Sequence, residues 1–135
     1  SRNVCEIHGS ALRNYCVRCG KTYPADYIFE TEEPVPHCAC GGMIRPDITL
    51  YEEGLPEDAV RRAVEAIGGA DMLIIGGTSL TVYPAASYID YFRGKYLVII
   101  NRDELNIRKN ADTLVIHEKI GEVFTRVAAL QGIQL

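Results

Sequence analysis

No apolar run in the 135 residues approaches the roughly 20 that a membrane-spanning helix needs. That argues against a membrane partner. There is no basic run either, and a net charge of −4 leaves no electrostatic footprint for nucleic acid. No signal peptide is visible, so an oxidising compartment is not indicated and a cytoplasmic location is expected. Internal repeats and low-complexity segments are missing, as is the GxGxxG pattern of dinucleotide-binding turns. Cysteine is scarce and unevenly spread: of five in the chain, four lie between Cys16 and Cys40.

What is present is the composition of a globular domain, 47% apolar and 24% charged, at a length that supports a real core. The first residue is Ser1 rather than Met, and patterned sequence begins within a few residues. A piece of a longer protein is expected.

Residues 1–15 are short and mixed in character. "IRPDITLYEEGLP" (Ile44 to Pro56) reads as extended, because Pro46 discourages helix while Ile48, Leu50 and Tyr51 favour a strand. Val60, Ala63, Val64 and Ile67 then recur with helical spacing, behind Pro56, Glu57 and Asp58 and ahead of Gly68 and Gly69. "DMLII" (Asp71 to Ile75), "YLVII" (Tyr96 to Ile100) and "TLVIH" (Thr113 to His117) are short apolar runs that predict buried strands. A helix opening at Pro84 and carrying Ala85, Ala86, Ile89 and Phe92 separates the first two, and a last helix carries Val123, Val127 and Leu130. Continuous apolar strands alternating with helices predict an α/β fold, the later part of a doubly wound parallel sheet covered on both faces.

The cysteines are spaced Cys16-x2-Cys19 and Cys38-x-Cys40. Two close pairs can converge as four thiolates around a tetrahedral ion, and zinc suits that set. A closed four-sulfur shell leaves no open position for a substrate, so the role is structural. Metal would also fold a polar loop that has little apolar content. Disulfides and unrelated free thiols remain as alternatives. His37 could substitute as a ligand, and Cys5 is expected to be a packed core thiol.

"GGTSLTVYPAA" (Gly76 to Ala86) follows a strand and leads into a helix. Glycines there let a ligand approach the backbone, Thr78 and Ser79 add hydroxyls, and the coming helix turns its amide end toward an anion. The alternative is an ordinary βα turn. "IINRD" (Ile99 to Asp103) repeats the geometry with Asn101 and Arg102, and "IHEK" (Ile116 to Lys119) forms a third polar strand end. Such edges bind ligands in open α/β sheets, though a solvated edge would look similar. His8, in "EIHGS", is a candidate general base, although a lone histidine is more often structural.

These pieces in this order resemble the sirtuins, the NAD-dependent protein lysine deacylases. The residues that carry the resemblance are "HGS" at His8, the two cysteine pairs, "RPDITLYEEGLP", "GTSLTVYPAA" and "IN" at Asn101. The CxC pair followed by Gly-Gly, with "YEEGLP", looks like the bacterial branch. The resemblance implies a Rossmann-type domain with a small inserted zinc module, NAD and zinc as cofactors, and an acylated lysine protein as substrate. It implies a segmentation into 1–13 (catalytic loop), 14–46 (zinc module) and 47–135 (Rossmann-type).

In such an enzyme the acyl oxygen attacks the ribose carbon bearing nicotinamide. A histidine, here His8, then acts as base on a ribose hydroxyl, and the acyl group ends on ADP-ribose. Gly77, Thr78, Ser79, Asn101, Arg102 and, loosely, Lys119 match cofactor contacts. The stretch Thr49 to Leu55, including Tyr51, Glu52 and Glu53, matches the segment that takes the substrate backbone as an added strand, with Val82 and Tyr83 at the peptide's other edge. One departure is local: the common family form has Gly-Glu where this chain has Glu52-Glu53. A larger one is that the glycine-rich first loop and the Gln-Asn-x-Asp signature do not occur in the 135 residues. The chain by itself is therefore expected neither to bind NAD well nor to turn over. A mono-ADP-ribosyltransferase of the same fold and a zinc-stabilised, non-catalytic binding module are the competing readings.

Overall fold

The computed structural model describes residues 2–133. The chain divides into two compact units, one ending at Arg61 and one beginning at Arg62, so the boundary falls within helix α2 (Glu57–Gly68).

In the first unit, strands β1 (Gly9–Cys16), β2 (Thr22–Pro24) and β3 (Ile44–Ile48) form an antiparallel sheet in the order β2-β1-β3. Helix α1 (Ala25–Glu30) follows β2. The sequence does not announce β1, because "GSALRNYC" has neither alternation nor strand-favouring residues over most of its length. Pairing on both sides makes it a strand. Gly9 stands opposite Ile48 and Ser10 opposite Asp47; after an irregularity, Asn14, Tyr15 and Cys16 face Pro46, Arg45 and Ile44. Pro46 is tolerated because β3 is an edge strand. The predicted extended stretch thus contains a strand that stops at Ile48.

The core of this unit is Cys16, Tyr23, Cys38 and Ile44, with Ile28 packed against it. Two of its four buried members are thiols. Such a core removes little apolar surface from water and needs another source of stability.

In the second unit, β4 (Met72–Gly76), β5 (Tyr96–Ile100) and β6 (Thr113–Ile116) form a parallel sheet in sequence order. All three correspond to the predicted apolar runs. Helix α3 (Ile120–Leu130) ends the unit. The segment after Pro84 is a 3₁₀ helix (Ala85–Tyr91) rather than an α-helix. Its i→i+3 bonds include Ser87 N–H to Pro84 C=O, and the Ser87 hydroxyl donates to the same carbonyl at 2.7 Å, so side chain and backbone share one acceptor.

Ile75, Leu97, Ile99 and Leu105 form the core, with Leu73, Ile89, Phe92 and Val115 against them. Among the described residues one face is covered and the other only in part. The strand period of two sends Leu73, Ile75, Leu97 and Ile99 to one face, where the 3₁₀ helix packs. On the other face Met72, Ile74, Tyr96 and Leu114 are exposed. That face is closed near the carboxyl ends of the strands, where Ile120 of α3 lies over Gly76 and Ile100 is buried.

Candidate functional site

The four paired cysteines come together. Both pairs sit in tight backbone knuckles: Gly20 N–H donates to Cys16 C=O at 2.9 Å, and Gly41 N–H to Cys38 C=O at 2.7 Å. The sulfurs of Cys16 and Cys40 are 3.5 Å apart, those of Cys19 and Cys38 3.6 Å, and all four lie within 4.8 Å of one another. No disulfide joins them. A tetrahedral zinc with bonds of about 2.3 Å requires sulfurs about 3.8 Å apart, so the donor set fits zinc. Gly42 preserves the fit, because a Cβ there would fall 2.7 Å from the Cys16 sulfur.

The thiols also feel one another. The Cys38 thiol is lowered to about 6, first by the backbone N–H of Cys40 and then by the Tyr23 hydroxyl. Cys40 is pushed up to about 12: the Gly42 amide pulls it down, but the sulfurs of Cys16, Cys19 and Cys38 outweigh it. Thiolates this close repel one another, and a cation among them would relieve that repulsion. His37 lies outside the cluster, its Nδ1 3.6 Å from Glu33. Cys5 is half-buried and belongs to neither core, so it is not the packed core thiol that the sequence suggested.

His8 is exposed at the turn into β1. One bond, from Thr49, reaches its own backbone, and other contacts brace its neighbours. Gly9 N–H donates to Glu6 C=O at 2.9 Å, Thr49 N–H donates to His8 C=O at 3.0 Å, and Arg13 joins Glu6 to Asp47 through its guanidinium. Gly9 has φ +76°, and a Cβ there would lie 2.0 Å from the Asp47 carbonyl oxygen. Only glycine permits the approach of β1 to β3 at this point.

Beyond Thr49 the chain turns. Arg45 spans the bend: its guanidinium meets both carboxylate oxygens of Glu53 at 2.7 and 3.0 Å and donates to Ile48 C=O at 2.9 Å. The same carboxylate accepts Leu50 N–H at 2.9 Å. The Arg45 guanidinium, followed by the Leu50 amide, holds the Glu53 carboxyl at about 2. Glu53 is therefore committed to the bend. Tyr51 and Glu52 are exposed at its apex, and Glu52 has φ +71°. That left-handed position is the one at which the common family form has glycine.

In the second unit, Gly77, Thr78, Ser79, Asn101, Arg102 and Lys119 line one cavity of about 550 Å³ at the carboxyl ends of the parallel strands. Thr78 Oγ1 accepts Leu80 N–H at 3.1 Å, the hydroxyls of Ser79 and Thr81 are 2.7 Å apart, and Asn101 Nδ2 donates to Asp103 C=O at 3.0 Å. The 3₁₀ helix does not line this cavity; the start of α3, at Ile120, does. The helix start beside the cavity is therefore that of α3 and not that of the helix after the Gly-Gly turn.

Glu104 and Glu118 also line the cavity, and the sequence reading missed both as candidates. The polar clusters "NRDEL" and "IHEK" carried that signal. Lys109 holds the Glu104 carboxyl below its ordinary value. Fixed carboxylates beside cations and hydroxyls suit a ligand with both hydroxyls and phosphates. Val82 and Tyr83 are exposed in the loop before Pro84.

A family model described as the Sir2 family matches residues 1–84. A NAD-dependent protein deacetylase from Clostridium acetobutylicum is 48% identical over 128 residues, covering 94% of this chain and 52% of that protein. One from Clostridium perfringens is 53% identical over 129 residues, with the same 94% and 52% shares. The chain spans about half the length of these curated relatives. Among solved structures, Sir2Tm bound to a propionylated peptide superposes with a TM-score of 0.85 at 36% identity, over 99% of this chain and 58% of that one. A complex of Sir2, a p53 peptide and NAD+ gives a TM-score of 0.84 at 35% identity, over 99% and 57%.

Proposed function

The chain belongs to the Sir2 family, and on that footing we propose that it is part of an NAD-dependent protein lysine deacetylase, placed in the cytoplasm. The carrying observation is that relatives named NAD-dependent protein deacetylase match 94% of the chain at 48% and 53% identity. Segments 1–13, 14–46 and 47–135 are the catalytic loop, the zinc module and the Rossmann-type portion.

His8 is the general base. Its imidazole is exposed while its backbone is tied down, so the ring can reach a ligand from a fixed support. Its task is to take a proton from a ribose hydroxyl after the acyl oxygen has displaced nicotinamide. The six residues Gly77, Thr78, Ser79, Asn101, Arg102 and Lys119 bind NAD. Arg102 and Lys119 offer charge to phosphate, while the Asn101 amide and the hydroxyls of Thr78 and Ser79 offer neutral hydrogen bonds. Bound NAD supplies the ribose carbon to which the acyl oxygen adds.

Thr49, Tyr51, Glu52 and Glu53 in the first unit, and separately Val82 in the second, are assigned to the peptide substrate, which is read through its backbone rather than its sequence. Cys16, Cys19, Cys38 and Cys40 hold zinc, which folds the module and takes no part in the reaction. Nicotinamide release from NAD by the intact protein, with and without an acetylated lysine peptide, tests the reading. Release that depends on the peptide is expected; release that ignores it would replace the reading with a transferase or hydrolase acting on another group.

A further inference from the structure

We propose that Arg45 and Glu53 are positioning residues for the peptide substrate: their paired hydrogen bonds set the shape of the 48–53 bend on which the substrate backbone lies. The inference rests on the deacetylase reading above and extends it to residues outside the reacting groups.

The geometry carries it. An exposed ion pair by itself does little, because solvent screens it and two long side chains must be ordered. This pair is different in what it closes. Both carboxylate oxygens of Glu53 meet the guanidinium of Arg45, at 2.7 and 3.0 Å, a bidentate arrangement that sets angle as well as distance. The pair also reaches the backbone at two points, Ile48 C=O through Arg45 at 2.9 Å and Leu50 N–H through Glu53 at 2.9 Å. Glu53 N–H returns to Leu50 C=O at 3.2 Å. Between these anchors lies Glu52 at φ +71°, a conformation that a residue with a side chain keeps only when its surroundings impose it.

The bend is fastened at its other end as well. Thr49 N–H donates to the carbonyl of His8, the residue assigned as base. One side chain pair therefore shapes the bend that offers Tyr51 and Glu52 to solvent, within a few residues of the bond that ties it to the catalytic histidine. Loss of the pair would let the bend relax while leaving His8, the thiol cluster and the strand-end cavity their own contacts. The consequence falls on peptide binding.

The test uses the intact protein with an acetylated lysine peptide and NAD. Glu53→Gln keeps the size of the side chain and removes its charge; Arg45→Ala removes the guanidinium, and Arg45→Lys restores a single charge without the bidentate fork. Peptide KM is expected to rise about tenfold in Glu53→Gln and Arg45→Ala, with NAD KM and kcat within about twofold, and Arg45→Lys should recover part of the loss. Zinc content and melting midpoint identify a variant that has not folded, in which case Glu53→Gln decides. An unmoved peptide KM, or kcat and both KM values worsening together, overturns the proposal. A wild-type protein without peptide-dependent nicotinamide release would instead overturn the deacetylase reading. Calorimetric binding of the acetylated peptide to wild type and Glu53→Gln then measures the clamp directly, and equal affinities reject it.

Discussion

The amide of Thr49 donates to the carbonyl of His8 at 3.0 Å, although the two residues are far apart in the chain. The bond continues the β1–β3 ladder one step past Gly9 and Ile48. It fixes the backbone of an exposed histidine without using its ring.

Replacing His8 by alanine in the intact protein should lower peptide-dependent turnover by about 10²–10⁴, the usual contribution of a positioned general base. The backbone bond to Thr49 needs no side chain, so melting and peptide affinity should stay near wild type. Steady-state rates with calorimetric peptide binding check this; a variant that turns over at the wild-type rate would remove His8 from the reaction.

Gly9→Ala places a Cβ 2.0 Å from the Asp47 oxygen at a residue with φ +76°. A stability loss of about 2 kcal/mol or more is expected from the forced separation and the backbone strain together. Since β1 must move away from β3, activity should fall too, with the metal retained. Urea titration and metal analysis on the same sample separate the two effects.

Chelation should remove zinc and loosen the first unit, whose core is half thiol. The second unit has its own apolar core around Ile99 and Leu97. Hydrogen exchange should accelerate at the β1–β3 amides after chelation and remain slow in β4, β5 and β6. Equal protection of the β1–β3 amides before and after zinc release would show that the module does not depend on the metal.

Acid should weaken the bend. Arg45 lowers the Glu53 carboxyl from 4.5 to about 2, so the pair stabilises the folded state fully above about 4.5. As pH falls from there through 2, protonation of the folded form removes that contribution. Denaturation midpoints of wild type and Glu53→Gln should therefore converge in acid and differ most near neutrality. A constant difference across that window would mean that the ion pair does not contribute through charge.

Glu52→Gly should stabilise the bend by about 1 kcal/mol, because glycine adopts positive φ without steric cost. The same change removes an exposed carboxylate beside the proposed peptide path. If that carboxylate favours basic neighbours of the target lysine, a peptide series with Lys or Arg against Asp or Glu at flanking positions should show the preference in wild type and lose it in the variant. No preference in wild type would confine Glu52 to a conformational effect.

Much of the chain is legible in its sequence. The runs Asp71 to Ile75, Tyr96 to Ile100 and Thr113 to His117 correspond to the parallel strands β4, β5 and β6, since a continuous apolar run of that length has few other places to go. The cysteine spacing pointed to one four-sulfur site, and the sulfurs meet. The strand β1 was not legible, because its residues carry little propensity and its conformation comes from two neighbours in the sheet. The 3₁₀ geometry after Pro84 was missed as well, since apolar spacing alone does not distinguish a tight helix from an α-helix over two turns.

Residue type and local spacing determined by themselves which candidate groups this chain carries: thiols in close pairs, polar residues just past apolar strands, a histidine before a glycine. Tertiary structure alone decided which of these groups serve together. It brought Lys119 and the start of α3 beside Thr78 and Asn101, took Glu53 out of the pool of free carboxylates by pairing it with Arg45, and tied His8 to Thr49. The physical reason is register. A strand pairing sets contacts between residues dozens of positions apart, and the bare Cα of Gly9 against the carbonyl of Asp47 is what allows this register to form.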